Sequence, residues 1–185
     1  MIQETIENRI MKQDVLDKIE SVCERSKSII NSLYSNQNDL LVIKCCCIRE
    51  IIENNKANNT RNRFTMLQEV SNATGVYLFI NSEHVPVYIG VGGVGKSDDL
   101  ADRVRNECKL HPNEDSGATL SKNIKENSRL LCNELSDEQI KSMICSFEVV
   151  VIKVGEMNEP ENQKFANYLE SLLILLFKPL HNKQG

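Results

Sequence analysis

The chain has 185 residues, of which 41% are hydrophobic and 26% charged, with a formal net charge of −4. No stretch approaches the roughly 18 apolar residues of a membrane helix, and the opening MIQETIENRI is charged and polar rather than a signal-peptide core. These features lead us to expect a cytoplasmic protein without membrane contact, and the acidic balance argues against a dedicated sequence-independent DNA binder, although a metal or a local basic cluster can supply positive charge.

Ile2, Ile6 and Ile10, then Leu16, Ile19 and Cys23, recur at helical spacing with charges between them. They predict a helix over the first 35 residues. Tyr34 to Asn38 breaks the pattern, and Asp39 reads as the N-cap of a second helix running to about Glu53. A short third helix is expected over Arg63 to Val70. Residues 1–70 thus read as an all-helical N-terminal region. Ile2, Ile6, Ile10 and Leu16 could form a seam for a homo-oligomer or a partner subunit, and the region could also contact DNA. Lys56, Arg61 and Arg63 lie in an Asn-rich stretch that fits either a solvated linker or a phosphate contact. The seven cysteines, three of them adjacent at 45–47, lack the spacing of a zinc site. They read as small buried hydrophobes in a reducing compartment.

The character changes at Gly75. Val76 to Ile80 is β-branched and aromatic, Asn81 to His84 supplies turn residues, and Val85 to Ile89 forms a second strand, so the pair reads as a hairpin with Pro86 near an edge. A glycine-rich loop follows, and Ser97 or Asp98 caps a helix through about Cys108. Another helix is expected from Ala118 to Leu131, and Ser136 with Gln139 resembles a capping box. Phe147 to Val154 is a third, apolar strand. Glu159-Pro160 opens a last helix through Phe177, which Lys178-Pro179 ends. The order β-β-α-α-α-β-α predicts an α/β (α+β) domain over residues 75–185, with a small three-stranded antiparallel sheet flanked by helices.

Gly90 to Ser97 satisfies the spacing of a phosphate-cradling P-loop through Gly90, Gly95, Lys96 and Ser97, and that of a dinucleotide fingerprint through Gly90, Gly92 and Gly95. Asp98 and Asp99 oppose both, because two carboxylates in the first helical turn repel a phosphate. The third strand also ends in Lys153 and Val154, not in a magnesium-binding Asp. An antiparallel hairpin is likewise the wrong frame for a P-loop, which needs parallel strands. A nucleotide-binding protein is therefore the minor alternative.

Gly75-Val76-Tyr77 followed by Tyr88-Ile89-Gly90 resembles the signature of GIY-YIG nucleases, with Val in place of the first Ile. Leu100 to Arg103 resembles the family's arginine helix, Glu170 its metal-binding glutamate, and Pro179 to Asn182 its closing segment with a supporting asparagine. Thr119-Leu120 is similar to the helix start that some members carry. The resemblance spans residues 75–182 and implies an endonuclease acting on DNA with Mg²⁺ or Mn²⁺, leaving 5′-phosphate and 3′-hydroxyl ends, in restriction or phage defence. Tyr77 would be the general base, Tyr88 would position water or phosphate, Arg103 would hold the scissile phosphate, and Glu170 would bind the metal. Glu170 is also the only charge between Tyr168 and Phe177, and a carboxylate in such a run needs a partner or a cation. Many members place a His four residues after the arginine, where this chain has Glu107. The proton-handling partner is thus open among Lys96, Glu107 and His111. A catalytically weak or inactive module that binds nucleic acid or protein is the main alternative.

Overall fold

The computed structural model describes residues 2–33, 41–49, 65–95, 98–108, 119–131 and 134–182. Five α-helices and four strands are found among them. α1 is Ile2–Leu33 and β1 Leu41–Cys47. A 3-10 helix, Thr65–Val70, leads into β2, Ala73–Ile80, and β3, Pro86–Gly92. Three helices follow, α2 at Leu100–Glu107, α3 at Thr119–Leu130 and α4 at Asp137–Cys145. β4, Glu148–Glu156, and α5, Pro160–Phe177, complete the order.

The three expected strands are present and pair antiparallel. β2 lies between β3 and β4, with Tyr77 opposite Gly90 on one side and Val151 on the other. The helical expectation for residues 39–53 fails over Leu41 to Cys47, while Ile48 and Arg49 are helical. Leu41 to Cys47 is a strand that pairs antiparallel with the outer edge of β4, so the sheet order is β1-β4-β2-β3. Val42 and Ile43 are β-branched, and an open edge on β4 lets pairing outweigh the helical reading. The N-terminal region is therefore not all-helical. The parts of that reading on Asp39, Lys56, Arg61 and Arg63 lie outside the described residues.

The sheet is covered on both faces. Alternate residues of β2 point to opposite sides. Tyr77 and Phe79 join Tyr88, Val149 and Val151 beneath α2, α3 and α4. Val76, Leu78 and Ile80 join Ile89, Val150 and Ile152 beneath α1 and α5. Leu16, Ile19 and Cys23, the helical stripe of α1, are buried in this second cluster, so Leu16 packs in the chain's own core. No helix among the described residues is long and apolar enough to cross a membrane.

Local signals set the helix ends. Ser136 and Gln139 form the expected capping box of α4. Pro160 occupies the start of α5, and Lys178 closes that helix in the left-handed conformation at φ 47°. The N-cap of α2 is Asp99, one residue past the expected position: its carboxylate accepts from the backbone N–H of Asp102 and of Asn72, each at 2.7 Å. A side-chain carboxylate thus fills the place a P-loop reserves for phosphate, and the sheet is antiparallel where that fold needs parallel strands.

Candidate active site

Tyr77 and Tyr88 stand on neighbouring strands on the same face of the sheet. Their ring centroids are 6.3 Å apart, and Phe79 packs against both at 5.7 and 6.2 Å. The Tyr77 ring lies directly over Gly90, because a Cβ there would collide with the phenol oxygen. The glycine of the second half of the motif is thus the space that the tyrosine of the first half occupies. Gly92 plays the same part for α2: a Cβ there would meet the Leu100 backbone at 2.8 Å and the Arg103 Cβ at 3.1 Å.

That close approach brings Arg103 and Glu107 over the tyrosines. Leu100, Val104 and Glu107 form the buried stripe of α2, and the Glu107 side chain is 0% exposed. Its Oε1 accepts from the Tyr77 hydroxyl at 3.4 Å and lies 3.3 Å from Nη2 of Arg103. Its Oε2 accepts from the backbone N–H of Leu120 at 2.8 Å, at the start of α3. Thr119 also hydrogen-bonds Glu107 and reaches Tyr88. Arg103 pairs with Glu107, while Asp102 pairs with Arg105.

Burial pushes the Tyr77 phenol well above its ordinary range; Glu107 and Tyr88 add to the rise and Arg103 opposes it. Tyr88 is pushed up for the same first cause. Burial also raises Glu107, against the pull of the Leu120 N–H and of Arg103. Burial disfavours the charge of Arg103, yet Tyr77 and Glu107 hold the guanidinium above its usual value.

Glu170 lies on the half-buried side of α5, beside Leu169 and Leu173 of the opposite cluster. Burial raises its carboxyl, and Arg103 is the cation that opposes this. Among the described residues it has no hydrogen bond or ion pair. One guanidinium therefore acts on Tyr77, Tyr88, Glu107 and Glu170 together. Among the described residues no three His, Cys, Asp or Glu side chains gather into a shared metal site.

Asn182 closes against β3 at Ile89, the residue next to Tyr88. Its side-chain amide pairs with the edge of β3, accepting from Ile89 N at 2.8 Å and donating to Ile89 O at 2.7 Å. The neighbouring His181 N–H donates to Val87 O at 2.9 Å. Lys96 and His111 lie outside the described residues. Glu107 is a candidate from its place four residues after Arg103, but its full burial and its contact with Tyr77 have no sequence signal. The supporting roles of Asn123 and Asn127 had no sequence signal, and Thr119 was marked only through the likeness of Thr119-Leu120 to a helix start. A separate groove of about 560 Å³, lined by Val87, Ile124, Met143, Phe147 and His181, does not include the tyrosines, Arg103 or Glu170.

Comparison with known proteins returns no match: no family model, no curated protein and no solved structure matches this chain.

Proposed function

We propose that this chain is a divalent-metal-dependent endonuclease of the GIY-YIG type that hydrolyses phosphodiester bonds in DNA. The observation that carries the reading is the meeting of Tyr77, Tyr88 and Arg103 from β2, β3 and α2: the tyrosine rings stand 6.3 Å apart, and the Tyr77 hydroxyl and the Arg103 guanidinium converge on one oxygen of Glu107. A partly exposed guanidinium beside two phenols suits a phosphate with a water next to it. The desolvated Glu170 carboxylate, without a bonded partner among the described residues, suits a Mg²⁺ or Mn²⁺ ion, which needs few protein carboxylates and keeps its waters. When bound, that ion supplies charge stabilisation at the leaving 3′ oxygen. Arg103 holds the phosphate, Tyr88 orients it, and Tyr77 takes the proton of the attacking water. Restriction or phage defence is the setting we propose for such a cut.

The test is plasmid DNA incubated with Mg²⁺ and the protein. Wild type is expected to nick or linearise it, and Glu170→Ala to cut at least about 100-fold more slowly, since metal stabilisation amounts to several kcal/mol. Failure of wild type on every DNA and RNA substrate tried would sink the reading. The burial of Tyr77, only 1% exposed, favours a second reading, a module that binds nucleic acid without cutting it. A gel shift with intact DNA in Mg²⁺ is its signature.

A further inference from the structure

We propose that Glu107 is the proton acceptor for the Tyr77 hydroxyl, so that the two residues together form the base that activates water. This rests on the nuclease reading above and selects among the proton-handling partners that reading leaves open. The geometry divides the carboxylate into two different oxygens. Oε2 is anchored by a short bond of 2.8 Å from the Leu120 N–H. Oε1 is shared loosely between the Tyr77 hydroxyl at 3.4 Å and Arg103 Nη2 at 3.3 Å, both well beyond the usual length of charge-assisted bonds. Long hydrogen bonds of this kind are common in catalytic sites before substrate arrives.

A buried phenol makes a poor base alone. Passing its own proton onward removes the difficulty, because Tyr77 then never carries a full charge. The step balances as follows. A water O–H bond breaks and the oxygen bonds to phosphorus. The water proton goes to the Tyr77 oxygen while the Tyr77 proton goes to Glu107 Oε1. The bond from phosphorus to the 3′ oxygen breaks, and solvent protonates the leaving oxygen.

Arg103 ties this relay to substrate. Its side chain is 30% exposed, whereas Glu107 is 0% exposed and Tyr77 1%. A phosphate that draws the guanidinium outward uncovers the Tyr77 oxygen and takes a cation away from Glu107, which strengthens the carboxylate as a proton acceptor. Among the described residues, the groups facing Glu107 are Tyr77 from β2, Tyr88 from β3, Arg103 from its own helix, and Thr119 and the Leu120 N–H from α3.

Two measurements test the pairing. In the first, the Glu107 carboxyl is titrated by carbon NMR in the full chain. It is expected to titrate above its ordinary value and to move further up in Tyr77→Phe, where the carboxylate loses a donor. A titration that does not respond to Tyr77→Phe overturns the pairing. In the second, cleavage of plasmid DNA in Mg²⁺ is followed against pH. Wild type is expected to slow as pH falls through the Glu107 titration, and Glu107→Gln to cut about 100-fold more slowly without that acid limb. Glu107→Asp, which keeps an acceptor, should recover part of the rate. Melting of each variant checks that it folds. Unchanged cutting by Glu107→Gln with the acid limb intact overturns the role of Glu107 and leaves the nuclease reading standing. A wild type that cuts nothing overturns both.

Discussion

The two faces of β2 make an instructive contrast. On one side Val76, Leu78 and Ile80 pack with Ile89, Val150 and Ile152 in an aliphatic layer beneath α1 and α5. On the other, Tyr77, Phe79 and Tyr88 form an aromatic layer that encloses the Glu107 carboxylate and touches Arg103. The first layer buries apolar surface with few polar atoms, so its burial is almost wholly favourable. The second buries hydroxyls and a charge, which costs free energy unless each finds partners. The contrast suggests that the polar side is held in place by the stability of the other.

Adjacent residues of β2 test this most sharply. Leu78→Ala should destabilise the protein by about 2–5 kcal/mol, the usual range for a buried leucine truncated to alanine. Cleavage per folded molecule should survive. Tyr77→Phe keeps the ring and removes one hydroxyl, so its denaturation midpoint should stay near that of wild type. Its cleavage should fall about 100-fold or more. Urea titrations alongside plasmid assays separate the two effects. If the folded fraction of Leu78→Ala fails to cut, the faces do not divide stability from chemistry.

A smaller effect is expected where the polar side meets solvent. β3 is an edge strand, and Asn182 satisfies both backbone groups of Ile89 in the way a further strand would. Asn182→Ala leaves those groups to water and should cost about 1–3 kcal/mol. Hydrogen exchange at the Ile89 amide should speed up while amides of β4 stay protected. Slow exchange at Ile89 in the variant would mean that the edge is closed by something other than Asn182.

What the sequence made legible follows the same division. The strands Val76–Ile80 and Phe147–Val154 were readable because both faces of β2 and most of β4 are buried, which selects unbroken apolar runs. The caps at Ser136 and Pro160 were readable because capping is local chemistry. β1 was not. Leu41 to Cys47 forms a strand only because β4, more than a hundred positions later, offers it an edge, and no local pattern carries that information. The site divides likewise. Tyr77, Tyr88, Arg103 and Glu170 could be named from short motifs. The convergence of Glu107, Thr119 and Leu120 depends on how α2 lies across Gly92, a contact between segments that spacing does not encode.

The smallest expected effect is a slope against pH, and it too belongs to the polar side. His181 is 7% exposed, and α3 holds it: Asn123 Nδ2 donates to its carbonyl at 2.7 Å, and Asn127 Nδ2 lies 3.1 Å from its Nδ1. An amide N–H₂ there needs an acceptor, so the folded state keeps Nδ1 unprotonated, and burial lowers the titration below the usual 6.5. The unfolded chain takes up a proton first as pH falls. The contribution of His181 is therefore fully present above pH 6.5 and is lost as pH drops from there through the lowered value. Glu107 and Glu170 act with the opposite sign: burial raises both, so their contribution is greatest below about 4.5 and declines as pH rises. Comparing wild type with His181→Gln cancels the carboxylates. The difference between the two stability curves should shrink from pH 8 towards pH 5. A constant difference would mean that His181 titrates alike in the folded and unfolded chains, and that the asparagines of α3 hold the closing segment without holding its charge.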